Sequence, residues 1–134
     1  MSAWRRKAIQ ELPHLRSHIE RSDSVGMLWT KLWLIFVEAN SDPKDDATIR
    51  GTYNFALWCV AESHDDQIAT STVCHFYEHL PSERPVRKEL PKHMTTADFL
   101  GMKEVFKYHM TPEEHEAFLN EFLEHRKLIG REAV

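Results

Sequence analysis

The sequence has few of the residues that build turns, and it lacks a long apolar run. Its 134 residues include only 4 glycines and 6 prolines, which is poor in the turn residues that a many-stranded sheet needs. The longest uninterrupted apolar run, residues 32–37 (LWLIFV), falls far short of the roughly 20 residues that cross a bilayer. We therefore expect a helical protein with no membrane-spanning segment and no membrane partner.

Cysteine is also scarce, and the two cysteines are placed badly for a disulfide. Folding the chain about His64 sets Cys59 opposite about Thr70, several residues away from Cys74. We predict two free, buried thiols that act as small hydrophobic side chains in a reducing compartment. The first residues, MSAWRRKAIQELP, lack the apolar stretch and the cleavage site of a secretory signal. The predicted location is the cytoplasm.

The chain has no excess of positive charge and no familiar catalytic signature. Its formal net charge of -4 argues against nucleic-acid binding, which needs a concentrated basic surface. Neither a nucleophile elbow, nor a P-loop, nor a dinucleotide-binding glycine motif, nor a Cys-x-x-Cys pair occurs, so we predict no cofactor. Nine histidines and a pI near 6.1 mean that the net charge crosses zero within about one pH unit of neutrality.

Residues 49–80 read as the centre of the fold, because two apolar helical faces flank a short polar turn. The apolar residues recur at three-and-four spacing on each arm. The first face comprises Ile49, Tyr53, Ala56, Leu57 and Val60, and the second comprises Ala69, Val73, Phe76, Tyr77 and Leu80. Ser63 or Asp65 is the expected N-cap of the second arm. The pattern predicts an antiparallel helical hairpin.

Helix start and stop signals divide the rest of the chain. We predict helices over residues 2–12, 25–40, 95–109 and 112–129, with a kink or restart at Pro13. Thr111 and Glu114 form a capping box around Pro112, and Gly130 marks the predicted end of the last helix. At this length we expect one domain over residues 1–134. The predicted fold is all-α, with five to six helices in consecutive hairpins, either α-solenoid-like or an irregular bundle.

The sequence His75-Phe76-Tyr77-Glu78-His79 matches the H-x-x-E-H spacing of inverted zinc peptidases. On one continuous helix, His75 and His79 would project from the same side. They are therefore the candidate metal ligands, with Glu78 as the general base of a metal-dependent hydrolase. That function is the alternative prediction, because the third ligand that such a centre needs is not evident.

The segment after Leu80, PSERPVRKELPKHM, contains three prolines and a local excess of basic residues. Pro85 can open a single helical turn, with Val86 and Leu90 holding the segment to the core. Its cations are the candidate partner-binding residues: Arg84, Arg87, Lys88 and Lys92. They can bind an acidic partner, or they can form a solvated connector that faces the protein's own acidic surface.

Four aromatic-rich segments occur in a recognisable order: LWTKLWLIF at 28–36, YNFALWC at 53–59, FYEHLP at 76–81 and DFL at 98–100. In that order the chain resembles a family of small uncharacterised bacterial all-helical proteins. The resemblance implies consecutive helical hairpins similar to an armadillo or HEAT solenoid, and it implies no catalytic residues. The leading functional prediction is therefore a non-enzymatic module that binds another protein or a peptide.

Overall fold

The computed structural model describes residues 1–132, with side chains as far as Gly130. Nine α-helices and three short 3-10 segments build this part of the chain, which contains no strand. The α-helices are α1 Ala3–Glu11, α2 Arg16–Arg21, α3 Val25–Ala39, α4 Asp46–Ala61, α5 Asp66–His75, α6 Arg84–Glu89, α7 Thr96–Gly101, α8 Lys103–Lys107 and α9 Pro112–Glu132. The all-α prediction is confirmed, whereas the predicted count of five to six helices is too low.

Three breaks account for the additional helices. A 3-10 turn, Pro13–Leu15, separates α1 from α2, as the restart at Pro13 predicted. The predicted helix over residues 95–109 is instead α7 and α8, which are separated at Met102. The basic segment after Leu80 contains α6 between the 3-10 segments Tyr77–Ser82 and Leu90–Lys92. Gly130 does not end α9, which continues to Glu132.

The residues group into two compact units, Met1–Phe76 and Tyr77–Val134. The single domain over residues 1–134 and the solenoid-like arrangement stay predictions. No helix in residues 1–132 is both long enough and apolar enough to cross a membrane.

The core of residues 1–76 is a cluster of aromatic rings. Trp29 of α3 is fully buried and stacks between Phe55 of α4 and Phe76, at ring-centroid distances of 5.3 and 5.0 Å. Phe36 and Tyr53 meet the Phe76 ring at 5.1 and 5.5 Å. The indole Nε1 of Trp29 donates to Thr72 Oγ1 of α5 at 2.9 Å, so the polar atom of this buried ring is satisfied.

The predicted face of α4 is only partly correct, because α4 contacts α1, α3 and α5. Ile49, Tyr53 and Ala56 are buried as predicted, but Leu57 is 54% exposed. Phe55, which was not on the predicted face, is fully buried. A helix with neighbours on several sides buries a wider arc than one amphipathic face.

The two cysteines are free, and they differ in exposure. Cys59 is fully buried in α4, and this burial raises the pKa of its thiol to about 11. Cys74 is exposed, so the prediction that both thiols are buried is wrong. It lies on the solvent side of α5.

A second aromatic cluster forms the core of residues 77–132. Phe99 of α7 stacks on Phe122 of α9 at 4.0 Å and meets Phe118 at 5.0 Å. Phe106 of α8 contacts Phe99 and Phe118, at 5.2 and 5.4 Å. The predicted capping box begins α9: Glu114 N donates to Thr111 Oγ1, and Thr111 N donates to Glu114 Oε1, at 3.1 and 3.0 Å.

His115 is a buried titratable group on α9. Its side chain is 6% exposed, and its Nε2 atom has no hydrogen-bond partner among the described residues. Burial lowers the pKa of His115, and the charges of Lys107 and Lys103 lower it further against the opposing charge of Glu104. The folded protein therefore holds this ring in its neutral form more strongly than the unfolded chain does.

Acidification from about pH 7.5 to about pH 5.5 is expected to destabilise the protein through His115. The unfolded chain takes up the proton near pH 6.5, while the buried ring resists it, so stability falls as the pH drops toward the lowered pKa. His115→Leu should remove this part of the pH dependence, and His125→Leu should leave it in place. Denaturation midpoints at the two pH values measure the effect. Equal pH slopes for His115→Leu and the parent would contradict the assignment.

Candidate functional site

The helix expected to carry the metal motif ends too early. α5 stops at His75, and its C-cap, Phe76, leaves the helical region with φ -122° and ψ -72°. Glu78 and His79 belong instead to the 3-10 segment Tyr77–Ser82. The continuous helix assumed for His75 and His79 is therefore wrong. A 3-10 segment has three residues per turn, which changes the side-chain directions that the four-residue spacing relied on.

His75 makes a local hydrogen bond that fixes its tautomer. Its Nδ1 atom lies 2.8 Å from the carbonyl oxygen of Ser71. Because a carbonyl can only accept, Nδ1 carries the proton and Nε2 is the nitrogen left for other contacts. Among the described residues, no group of three or more His, Cys, Asp or Glu side chains is arranged to hold a metal ion. Metal binding by His75 and His79 stays a prediction.

Glu78 and His79 line a cleft of about 420 Å³ within residues 77–132. His109 Nε2 lies 2.5 Å from Glu78 Oε1, and the His79 and His109 rings are nearly parallel, with centroids 6.1 Å apart. Glu114 also lines the cleft, and its hydrogen bonds from Thr111 lower the pKa of its carboxyl. The complete lining is Glu78, His79, Pro81, Ser82, Arg87, Phe106, His109, Met110 and Glu114.

The predicted partner-binding cations fall into two pairs that line different cavities. Arg84 and Arg87 line a depression of about 350 Å³ with Pro81, Ser82 and Glu121. Lys88 and Lys92 line a groove of about 230 Å³ with Glu89, Pro91, His125, Leu128 and Ile129. The four cations therefore do not line one cavity, and partner binding by them stays a prediction.

Arg87 is the most constrained of these cations. Its Nε donates to Glu121 Oε2 at 2.7 Å, and its guanidinium carbon lies 4.6 Å from the centroid of the Phe118 ring. Both partners belong to α9, so this arginine ties α6 to that helix. The ion pair and the ring contact hold the guanidinium in one orientation.

Lys92 is also paired, whereas the other two cations face solvent. Lys92 Nζ lies 2.7 Å from Glu89 Oε2, and the side chain of Glu89 is only 8% exposed. Arg84 and Lys88 are exposed, and neither forms an ion pair with the side chains described here. The positive charges of these two residues are therefore not offset by an ion pair and are open to an acidic ligand.

Sequence reasoning missed the residues of α9 and of the α8–α9 turn that complete these surfaces. His109 lies 31 positions from Glu78, and Glu121 lies 34 positions from Arg87. Glu114 was identified only as a helix cap, while His125 and Leu128 carried no signal at all. The helical positions of those on α9 were predictable, but their opposing partners were not.

No family model, curated protein or solved structure matches this chain.

Proposed function

We propose that this protein is a non-enzymatic interaction module that binds an acidic segment of another protein or peptide. The observation that carries the proposal is the groove that places a half-exposed leucine and two lysines along one surface. Leu128 is 50% exposed, and Lys88 and Lys92 line the same groove. The expected ligand is a peptide in which an apolar residue is flanked by Asp or Glu.

The two sides of this groove are linked by a hydrogen bond in the absence of a ligand. Arg126 of α9 donates to the carbonyl oxygen of Pro91 at 2.9 Å, which links α9 to the 3-10 segment Leu90–Lys92. The Lys92–Glu89 pair fixes one of the two ammonium groups. A groove that is already ordered loses less conformational freedom on binding, so more of the interaction energy appears as affinity.

Apolar burial and charge contribute differently to such binding. Covering the exposed half of the Leu128 side chain stabilises a complex by roughly 1 kcal/mol, about half of the value for a fully exposed leucine. The lysines act mainly on the association rate and on the choice of partner, and salt screens them. Because salt screens the lysines but not the apolar contact, we expect added salt to lower the affinity without abolishing binding.

Two further expectations belong to the same proposal. One is the cytoplasmic location predicted from the sequence, and the other is membership of a family of armadillo-like or HEAT-like helical proteins. An interaction role is common among such helical stacks, whose repeated helices present extended binding surfaces. The metal-dependent hydrolase is not part of the proposal, because no observation on residues 1–132 favours it over binding.

The proposal is tested by selecting peptides from a random display library on the full-length chain. We expect enrichment of sequences that combine Asp or Glu with Leu, Ile or Phe. A selected peptide should bind Lys88→Glu and Leu128→Ser at least tenfold more weakly than the parent, and the Lys88→Glu loss should shrink at high salt. Lys88 is exposed, so its reversal should change folding stability by no more than about 0.5 kcal/mol, whereas Leu128 is half-buried and its replacement should cost roughly 1 kcal/mol.

Lys103→Glu is the matched control, since it reverses a charge on α8 outside the groove. It should bind the selected peptide as the parent does. If the selection enriches no acidic and apolar sequences, or if all three variants bind equally, the groove is not the interaction site.

A further inference from the structure

The depression beside the N-terminal half of α6 is lined by two arginines and one glutamate. It measures about 350 Å³ and is lined by Pro81, Ser82, Arg84, Arg87 and Glu121. Three of these residues, Pro81, Ser82 and Arg87, also line the cleft of about 420 Å³. The two cavities therefore adjoin, and Arg87 lies where they share a wall.

Every carboxylate that lines the two cavities already has a hydrogen-bond or ion-pair partner. Glu121 pairs with Arg87 Nε, Glu78 pairs with His109, and Glu114 accepts from the Thr111 backbone. Arg84, by contrast, is exposed and forms no ion pair with the side chains of residues 1–130. The positive charge that remains available is therefore concentrated on Arg84.

Arg87 adds oriented donors to that charge. A guanidinium has five N–H donors in a rigid fork, and the ion pair to Glu121 uses the Nε–H. Contact with Phe118 holds the plane of the fork. The N–H donors on its two terminal nitrogens are not used by that ion pair.

We propose that Arg84 and Arg87 form a binding site for a phosphoryl group carried as a phosphate monoester. Such a group has close to two negative charges and three terminal oxygens at neutral pH; the oxygens can accept from N–H donors of both arginines, although Glu121 already offsets the charge of Arg87. A single carboxylate has one charge and two oxygens, and one fork satisfies it. The site is separate from the lysine groove, so it adds a second ligand to the proposed interaction role.

The test is an amide NMR titration of the full-length chain with N-acetyl-phosphoserine amide at about pH 7.5. The resonances of Ser82, Arg84 and Arg87 should move, and the affinity should exceed that for N-acetylglutamate amide by at least tenfold. Inorganic phosphate is the second probe. Equal affinity for the two phosphates would identify the free phosphoryl group as sufficient, and tighter binding of phosphoserine would identify a phosphorylated side chain as the source.

Arg84→Gln should weaken phosphoserine binding at least tenfold, and Lys103→Gln, which removes the same charge elsewhere, should not. Arg87→Lys keeps the charge but removes the fork, so it should also weaken binding. The proposal is overturned if the glutamate probe binds as tightly as phosphoserine, if Arg84→Gln binds like the parent, or if the shifted resonances lie away from the depression.

Discussion

Replacing Phe76 by alanine is expected to lower the free energy of unfolding by about 3–5 kcal/mol. Phe76 is fully buried and its ring contacts Trp29, Phe36 and Tyr53, so truncation removes apolar burial and leaves a cavity among large rings. The rings around it cannot close this space without moving α3 and α4. Chemical denaturation of the variant and the parent, followed by far-UV circular dichroism, measures the difference.

Leu57→Ala is the control for this prediction. The leucine is 54% exposed on α4, so its truncation should change stability by no more than about 0.5 kcal/mol. Trp58 lies half-buried on the same helix and should show an intermediate loss. A Phe76→Ala variant that unfolds at the same denaturant concentration as Leu57→Ala would show that the aromatic cluster is not the core.

Gly51→Ala is expected to destabilise the protein by about 3 kcal/mol, at the upper end of the usual cost of overpacking. A Cβ atom at this position of α4 would clash with the carbonyl oxygen of Glu11 and would lie 2.6 Å from Leu12 Cδ2. The first of these atoms belongs to the backbone, so relief requires α1 and α4 to separate. The clash outweighs the gain of roughly 1 kcal/mol that alanine normally brings to a helix interior.

Gly130→Ala is the control for this prediction, because it should not lower the free energy of unfolding. No heavy atom lies within 4 Å of a Cβ built at Gly130, which is part of α9. Alanine there should be neutral or should stabilise by roughly 0.5–1 kcal/mol. If Gly51→Ala and Gly130→Ala shift the denaturation midpoint in the same direction, the close approach of α1 to α4 at Gly51 is incorrect.

Helix starts were predictable because their determinants are local. The Asp65 side chain accepts from Gln67 N and Ile68 N at 2.9 and 3.1 Å, as expected of the N-cap of α5. The capping box at Thr111 and Glu114 spans only four residues. A pattern of this kind is complete within one turn, so no knowledge of distant contacts is needed.

Helix ends and buried faces depended on contacts that a single sequence does not display. The apolar spacing continued beyond His75, yet α5 ends there and Phe76 enters the aromatic cluster. The burial of Phe55 required knowledge that α4 has neighbours on several sides. Tertiary packing decided both cases, and it overrides helical periodicity where the two disagree.

The candidate site was predictable in composition but not in geometry. The sequence identified the four cations around α6, and the structure separates them into Arg84 with Arg87 and Lys88 with Lys92. Arg84 and Lys88 are four residues apart on α6, so helical spacing alone would place them on the same side; the residues of α9 assign them to different cavities, Glu121 to one and Leu128 to the other. Only the spacing was visible beforehand.

The two compact units differ in tryptophan content and therefore in fluorescence. All four tryptophans lie between residues 4 and 58, and none lies in residues 77–134. Indole emission therefore reports on the first unit alone, whereas far-UV circular dichroism reports on the helices of both. Coincident transitions by the two signals would identify one cooperative folding unit, and separated transitions would identify two. This distribution lets unlabelled protein test the predicted single domain directly.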